Sequence, residues 1–171
     1  MRQGVETDEG FTGLIHEHRG IIRRLARLYA ESPEEREDLE QEICLQLWRA
    51  YPSFAGRARA STWMYSVALN TAISSLRRRR RRPPREELHD VAAPGGGAEE
   101  RDRLEVLYMA IRQLGEGERA LVLLWIEELS YDEIAEVLGL SAGAVSVRLV
   151  RAKQRLREIV AGWAPQGSGG R

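Results

Sequence analysis

The sequence lacks most of what secreted and membrane proteins require. Cys44 is the only cysteine among 171 residues, so an internal disulfide is excluded, which fits a reducing compartment. No apolar run approaches the ~20 residues that a membrane-spanning helix needs. The first ten residues lack the apolar segment of a signal peptide. These absences predict a soluble cytoplasmic protein without membrane insertion.

The sequence patterns of enzymes and metalloproteins are also missing. There is no glycine-rich phosphate loop, no Cys/His spacing typical of a metal site and no plausible Ser/His/Asp set. His16 and His18 are two positions apart, so a helix would point them to different sides and they would not share a metal ion. We therefore predict no enzymatic activity, no metal and no cofactor.

The net charge is zero, from 26 basic and 26 acidic residues, but the two signs are separated along the chain. Acidic residues concentrate at 31–42, and basic residues concentrate at 77–85 and 148–157. Such segregation indicates that different faces bind different partners. The six successive arginines at 77–82 are more than a helix C-terminus needs, and they favour a polyanionic partner.

The stretch at residues 129–156 predicts two helices joined by a tight turn. Ser130 and Glu133 have the spacing of a capping box. Gly139 lies where a left-handed residue would end the first helix, and Ser141 can cap the second. Two capped helices with so short a connection are typical of a helix-turn-helix.

The second of these helices is predicted to have a buried seam and an exposed basic back. Four apolar residues recur every three or four positions and form the seam: Val145, Leu149, Ala152 and Leu156. The flanks and the opposite side carry Ser146, Val147, Arg148, Val150, Arg151, Lys153 and Arg155. This arrangement lets one helix brace the other in the major groove. It favours duplex DNA binding over the alternative, an ordinary helical hairpin with a solvated basic face.

The first half of the chain predicts three helices. Apolar residues recur at helical spacing over residues 11–28, and Ser32-Pro33 followed by glutamates predicts the start of a second helix that reaches about Tyr51. That helix carries Leu39, Ile43, Leu47 and Trp48 on one side and Asp38, Gln41 and Glu42 around the other. Pro52 and Gly56 break it, and Ser61 is a candidate cap for the third helix.

Composition divides the chain into two domains. Residues 83–99 hold Pro-Pro and a glycine run without periodicity, which predicts a flexible linker. Gly115 and Gly117 are expected to bracket a turn before an apolar helix at 120–129, packed under the helix-turn-helix. The prediction is an all-α protein with two small helical domains. A three- to four-helix domain spans residues 9–82, a helix-turn-helix domain spans 100–163, and a disordered tail follows at 164–171.

Three segments in this order resemble the extracytoplasmic-function (ECF) sigma factors, the small two-domain class of bacterial RNA polymerase initiation factors. The segments are DLEQEICLQLWRAYPSF at 38–54, STWMYSVALNTAISSLRRR at 61–79 and LSYDEIAEVLGLSAGAVSVRLVRAKQRLRE at 129–158. The resemblance covers residues 11–163 and implies promoter-specific transcription initiation. The implied partners are core RNA polymerase, through the clamp helices of its largest subunit and the flap of its second subunit, promoter DNA as duplex and as non-template single strand, and a separate anti-sigma factor.

The resemblance also implies which residues meet each partner. Core polymerase would be bound by Asp38, Leu39, Gln41, Glu42 and Trp48. The minus-ten element would be recognised, melted and captured as a flipped base by Phe54, Arg57, Arg59, Trp63, Tyr65, Asn70, Arg77 and Arg78. The minus-thirty-five element would be read as duplex by Ser141, Ser146, Val147, Arg148, Val150, Arg151, Lys153 and Arg155.

The chemistry of the minus-ten residues agrees with that role. Opening DNA requires cations for the separated backbones and π-faces or pockets for unstacked bases. Phe54, in a loop after a proline, is the better candidate for a base contact, whereas Trp63 and Tyr65 stay open between core packing and DNA contact. Asn70 could bond a base edge or could be a surface amide.

The sequence departs from the family pattern in two places. Members often have a threonine before the valine and a basic residue after it where this chain has Ala144-Val145-Ser146, so base contacts there would be few. Recognition would then depend more on Val150, Arg151, backbone contacts and DNA shape. Cys44 occupies a position that is usually apolar, and we interpret it as a small buried hydrophobe.

Two other functions remain open at this point. One is a one-component repressor with a helical ligand domain, which would normally be a dimer on palindromic half-sites. The other is an interaction module such as an RNA-binding antiterminator or adaptor.

Overall fold

The computed structural model describes residues 2–54, 56, 59–81 and 99–163, with side chains from residue 9 and, in the second half, from residue 103. Within these ranges the chain has seven α-helices, a 3₁₀ turn and no strand. The elements are α1 Arg2–Tyr29, α2 Pro33–Ala50, the turn Tyr51–Ser53, α3 Ala60–Arg80, α4 Glu99–Arg112, α5 Glu116–Ile126, α6 Tyr131–Leu138 and α7 Ala142–Trp163. The all-α prediction with two helical domains is therefore confirmed.

The helices form two units, residues 1–89 and 90–171. The N-terminal unit holds α1, α2, the 3₁₀ turn and α3, and the C-terminal unit holds α4 to α7. Of the predicted linker at 83–99 only Glu99, which begins α4, is among the described residues, and the predicted tail at 164–171 lies outside them. No helix that the structure describes combines the length and the apolar character needed to cross a membrane.

The N-terminal unit is a three-helix packing around one apolar core. Leu25 of α1, Ile43 and Leu47 of α2, and Met64 and Ala68 of α3 are completely buried there. Burial of each large side chain contributes roughly 1.5–3 kcal/mol. This burial fixes which face of α2 and of α3 remains exposed.

Local sequence determines how α2 begins. Ser32 Oγ accepts a hydrogen bond from the Glu35 amide at 3.1 Å, and Pro33 occupies the first helical position. Glu35 in turn accepts from the Glu31 amide at 2.8 Å. The predicted start of α2 is thus confirmed.

Two other predicted helix starts are wrong. The first helix begins at Arg2 rather than near residue 11, since its polar N-terminal turns carry no apolar periodicity to reveal them. The third begins at Ala60, with Arg59 as an N-cap that makes no side-chain cap bond. Ser61 therefore lies inside the helix and does not cap it.

One arginine of the basic run ties α3 to the other helices of its unit. Arg79 donates to the Tyr29 backbone carbonyl at the end of α1 and to Ser75 Oγ at 3.0 Å. Its Nε lies 3.4 Å from the Glu35 carboxylate. Arg79 is therefore part of the fold, although the sequence suggested that the whole run faces a polyanion.

The C-terminal unit is built around α5. Residues from Arg119 to Leu124 are buried, and α5 packs against α6 and α7. The Gly115 amide donates to Glu118 at 3.3 Å. Arg119 donates to the carbonyl of Arg112, the last residue of α4, and to that of Leu114 in the following turn, so α5 begins soon after α4 ends. The predicted turn between two glycines is therefore shorter than expected, because Gly117 lies within α5.

The turn between α6 and α7 has the predicted geometry. Ser130 Oγ accepts from the Glu133 amide at 3.2 Å, and the Glu133 carboxylate accepts from the Ser130 amide at 2.8 Å. Gly139 ends α6 in the left-handed region, with φ of 63°. Ser141 Oγ accepts from the Ala144 amide at 3.2 Å. The capping box, the left-handed stop and the second cap are all confirmed.

The left-handed stop yields the first prediction. Gly139→Ala should lower the free energy of unfolding by about 1–2 kcal/mol, because a Cβ is disfavoured at this φ. Gly143→Ala is the matched control, since Gly143 lies within α7 in open space and should be neutral or slightly stabilising. Urea unfolding followed by circular dichroism measures both. Equal stability of the two variants would contradict the role given to Gly139.

Candidate functional site

The outer face of α7 combines apolar and cationic side chains. Its seam residues Val145, Leu149 and Ala152 are completely buried, whereas Leu156, also predicted to be buried, is half-buried. On the opposite side Val147 is 53% exposed and Val150 is 64% exposed, more than any other large apolar side chain that the structure describes. These two neighbouring exposed valines make the outer face of α7 a candidate for contact with a partner.

The four basic residues predicted on α7 fall into two groups. Arg148 and Arg151 are exposed on the flank of the valine face, about 130° from the seam for Arg151 on a 100° wheel. Lys153 is half-buried, with its ammonium 3.9 Å above the Trp125 ring of α5. Arg155 lies 3.8 Å from Glu118 of the same helix α5. Lys153 and Arg155 therefore also brace α7 on α5.

The predicted serines of α7 and its turn are also placed. Ser141 is exposed at the cap of α7, where its hydroxyl is already engaged by the Ala144 amide, and Ser146 is half-exposed. Both lie close in sequence to the valine face. Their predicted role in reading duplex DNA stays a prediction.

In the N-terminal unit, aromatic rings gather at the 3₁₀ turn. The Phe54 and Trp63 ring centroids lie 4.7 Å apart, inclined by 32°, and both side chains are half-buried. Tyr51 lies 6.4 Å from Trp63. Trp63 is thus a partly exposed ring that packs directly on Phe54, and its contact with DNA stays a prediction.

Tyr65 does not belong to this surface. Its side chain is only 2% exposed, and its hydroxyl accepts from Arg24 Nη2 at 3.5 Å. A ring buried on both faces cannot stack on a base, so its assignment to the minus-ten surface is corrected to core packing.

A single stripe runs along the exposed side of α3. Trp63, Asn70 and Arg77 are spaced by seven, which places them within about 40° of one another on the helical wheel. Asn70 and Arg77 are exposed, as is Ser74 between them. At about 1.5 Å per residue the stripe spans roughly 21 Å and passes from a ring through an amide to a cation.

The sequence prediction missed Ser74, which is exposed on the same side and follows Asn70 at helical spacing, so periodicity from Asn70 would have found it. Arg81, part of the predicted basic run, is exposed on this side as well. Arg59 is exposed at the N-cap of α3. Arg57 lies outside the described residues.

Arg78 and Glu42 are joined to each other. Arg78 Nη2 lies 2.8 and 2.9 Å from the two Glu42 carboxylate oxygens, across α3 and α2. The prediction had assigned them to different partners, DNA and polymerase. An exposed pair of this kind contributes about 0–1 kcal/mol, so either side chain can be released at small cost.

The exposed face of α2 differs from the predicted one. Asp38 and Gln41 are exposed, as predicted. Leu39 is 1% exposed, so its assignment to a polymerase contact is corrected to core packing. Trp48, placed by the sequence on the buried side, is 41% exposed, and Leu45, which was missed, is 46% exposed. The exposed stripe is therefore Asp38, Gln41, Leu45 and Trp48, at steps of three, four and three.

Cys44 lies beside this stripe and is half-buried rather than fully buried. Burial, and secondarily the negative charge of Glu40, raise the pKa of its thiol above the ordinary value. The thiol is therefore protonated at neutral pH and is a poor nucleophile.

Comparisons with known proteins cover both units. The family model for Sigma-70 region 2 matches residues 14–82, and that for Sigma-70, region 4, matches residues 104–156. The chain is 33% identical over 157 residues to the RNA polymerase sigma-H factor of Pseudomonas aeruginosa, covering 82% of this chain and 79% of that protein. It is 29% identical over 151 residues to the ECF RNA polymerase sigma factor SigM of Mycobacterium tuberculosis, covering 88% and 76%.

A solved structure has a similar fold. It is the sigma factor RpoE in complex with the anti-sigma factor NepR from Bartonella quintana, with a TM-score of 0.71 and 22% sequence identity over 90% of this chain and 98% of that chain. At this identity the likeness bears on the fold alone.

Proposed function

Because this chain belongs to the ECF class of the sigma-70 family of RNA polymerase sigma factors, which direct promoter-specific transcription initiation, we propose that its two units divide promoter recognition between single-stranded and duplex DNA. The observation that carries the proposal is a pair of exposed surfaces, the α3 stripe and the valine face of α7. The first combines rings, an amide and cations, as single-stranded DNA requires, and the second combines apolar side chains and cations, as duplex DNA requires. The sigma-factor relatives do not favour the repressor or the RNA adaptor.

The α3 stripe suits an opened minus-ten element. Phe54 and Trp63 offer partly exposed rings on which an unstacked base can lie, and base stacking on such rings is worth about 1–3 kcal/mol by truncation. Asn70 offers a donor and an acceptor for a base edge. Arg77, with Arg59 and Arg78, supplies cations for the backbone of the non-template strand.

The α7 face suits the duplex minus-thirty-five element. Arg151 can donate two hydrogen bonds to a guanine edge in the major groove, a contact worth about 1–3 kcal/mol of discrimination. Val147 and Val150 can contact thymine methyl groups, which explains their exposure in the isolated protein. Arg148, with Lys153 and Arg155 when they leave their partners on α5, can reach phosphates.

The α2 stripe suits core polymerase. It joins two polar residues, Asp38 and Gln41, to two exposed apolar residues, Leu45 and Trp48, which is the composition of a protein interface with an apolar centre. We assign it to the clamp helices of the largest subunit. Glu42 takes part only if Arg78 releases it.

Three further assignments complete the proposal. The C-terminal unit contacts the flap of the second polymerase subunit, as the family resemblance implies. An anti-sigma factor regulates this chain, which the complex of the similar Bartonella quintana protein with an anti-sigma factor supports. All of these partners place the protein in the cytoplasm.

The α2 stripe yields a binding prediction. Asp38→Lys combined with Leu45→Ala should weaken affinity for core polymerase by about tenfold or more, or at least ~1.4 kcal/mol. Glu17→Lys on α1 is the charge-matched control, since Glu17 is exposed on another helix. Anisotropy of the labelled protein titrated with core polymerase measures affinity, and circular dichroism checks helicity. Unchanged affinity in the double variant would remove α2 from the interface.

The two DNA stripes yield a prediction that separates the steps of initiation. Arg151→Ala should weaken closed-complex formation and stay defective on a template whose minus-ten region is mismatched open. Phe54→Ala should bind the closed duplex almost normally yet fail to open it, and the mismatched template should partly rescue it. Runoff transcription on both templates, from a promoter selected with the holoenzyme out of random sequences, provides the measurement. Rescue of Arg151→Ala but not of Phe54→Ala would mean that the units are assigned to the wrong steps.

The valine face yields a prediction about thymine. Replacing thymine by uracil in the minus-thirty-five element removes only the methyl groups, and should weaken holoenzyme binding about fourfold for each methyl contact, the equivalent of roughly 0.8 kcal/mol. Val150→Ala should show a smaller penalty for uracil, because its contact is already lost. Val160→Ala, exposed farther along α7, is the matched control and should keep the full penalty. If the natural protein, Val150→Ala and Val160→Ala all show the same penalty for uracil, Val150 does not contact a thymine methyl group.

A further inference from the structure

Five aromatic rings form a continuous series across the N-terminal unit. Its two ends are Trp48, on the exposed α2 stripe, and Phe54, at the turn before α3. The neighbouring ring centroids lie 5.0 Å apart for Trp48 and Phe11, 5.3 Å for Phe11 and Tyr51, 6.4 Å for Tyr51 and Trp63, and 4.7 Å for Trp63 and Phe54. The helix α1 contributes Phe11 to this series.

Phe11 links Trp48 to Tyr51 in the series. Its ring meets Trp48 at 72° and Tyr51 at 65°, so it packs edge-to-face against both. This geometry fixes the ring planes of both partners, because the edge of one ring is attracted to the face of the other. Phe11 therefore restrains the side chains on either side of the end of α2.

The residue before Phe11 is shaped for the same contact. A Cβ built on Gly10 would lie 2.8 Å from Tyr51 Oη, closer than real Cβ atoms approach, so only glycine lets Tyr51 lie this near α1. Gly13, one turn later, faces open space. The N-terminal part of α1 thus accommodates Tyr51 in two ways. Phe11 packs against the Tyr51 ring, and the missing side chain of Gly10 leaves room for the Tyr51 hydroxyl.

We propose that Phe11 is a positioning residue for promoter opening: it holds Tyr51 against Trp63, and thereby sets the ring of Phe54 for base capture. The inference rests on the proposed role of Phe54, whereas neither the family resemblance nor the comparisons assign Phe11 a part. The 3₁₀ turn contributes backbone restraint, since the Phe54 amide donates to the Tyr51 carbonyl at 2.9 Å. The neighbouring rings orient the Phe54 side chain that follows this turn. A ring held in one orientation binds a base at a smaller entropic cost.

The first test uses the protein without DNA. Trp48, Trp125 and Trp163 are replaced by phenylalanine, so that Trp63 is the only tryptophan and the aromatic series is kept. In this background Phe11→Leu should raise the quenching of Trp63 fluorescence by acrylamide and shift its emission to the red, whereas Phe11→Tyr should not. Unchanged Trp63 fluorescence in Phe11→Leu overturns the proposal.

Two glycine variants form a matched pair for the same measurement. Gly10→Ala and Gly13→Ala each add one methyl group to α1 and improve helix propensity equally. Only Gly10→Ala should displace Tyr51, and so only it should expose Trp63. Equal quenching of Trp63 in the two variants contradicts the inference that α1 acts on Trp63 through Tyr51.

The second test measures promoter opening by the natural chain with core polymerase. Phe11→Leu should slow open-complex formation on duplex by about two- to tenfold, the factor that corresponds to loss of one aromatic pair. A template mismatched at minus ten should restore much of the rate. Both rates are measured at saturating core polymerase, because Phe11 also packs on Trp48 of the α2 stripe. Phe11→Tyr should behave like the natural protein.

A control variant separates positioning from general stability. Ile22→Val removes a methyl group from the buried side of the same helix, away from the rings, and should destabilise the unit without slowing promoter opening. If Ile22→Val opens duplex as slowly as Phe11→Leu at equal loss of stability, Phe11 acts only through the fold and the proposal is wrong. If Phe54→Ala opens duplex normally, the proposed function itself fails, whatever Phe11→Leu does to Trp63.

Discussion

The N-terminal unit depends on the complete burial of one side of α3. Met64, Ala68 and Ala72 along that side are inaccessible to solvent, so α3 cannot rotate about its axis without exposing them. Because the helical period is fixed, the opposite side is fixed too, and it carries Trp63, Asn70 and Arg77. Packing of the core thus keeps the Trp63 ring, the Asn70 amide and the Arg77 guanidinium on one exposed side of α3. The attachment of Arg79 to α1 and α2 holds the far end of the helix in the same orientation.

Charge that is segregated in the sequence is partly mixed in the folded unit. The acidic stretch around α2 and the basic end of α3 meet through Arg78 with Glu42 and Arg79 with Glu35. These pairs reduce the repulsion that successive arginines would otherwise create. In the described part of the run, Arg77, Arg78, Arg80 and Arg81 are exposed. Because Arg78 and Arg79 pair with glutamates, the net positive charge at this end of α3 is smaller than the sequence alone suggests.

The sequence predicted well the local structure that depends on residues close together in the chain. The cap of α2, the capping box of α6 and the left-handed stop at Gly139 need only a few consecutive residues, and all were confirmed. Features that depend on contacts between helices were harder. Tyr65 was a candidate for DNA contact because burial on α3 is not visible from one helix alone. Leu39 was a candidate for polymerase contact through the family resemblance, although it lies on the apolar side of α2 that the sequence predicts and that is buried. Trp48, although a predicted polymerase contact, was placed on the apolar side of α2, and Leu45 was missed. The buried seam of α2 steps by four from Leu39, so position 48 lies on the outer side. Which of the exposed residues bind DNA or polymerase stays a prediction.

The protonated thiol of Cys44 has a practical consequence for observing the protein at work. Maleimide dyes react with thiolates, so an exposed cysteine introduced elsewhere should react faster at neutral pH than the half-buried native one. The natural chain can thus serve as the background for fluorescent labelling without a prior cysteine substitution beside the α2 stripe. One dye in each helical unit would then report their separation by energy transfer, from the free protein through to the transcribing complex.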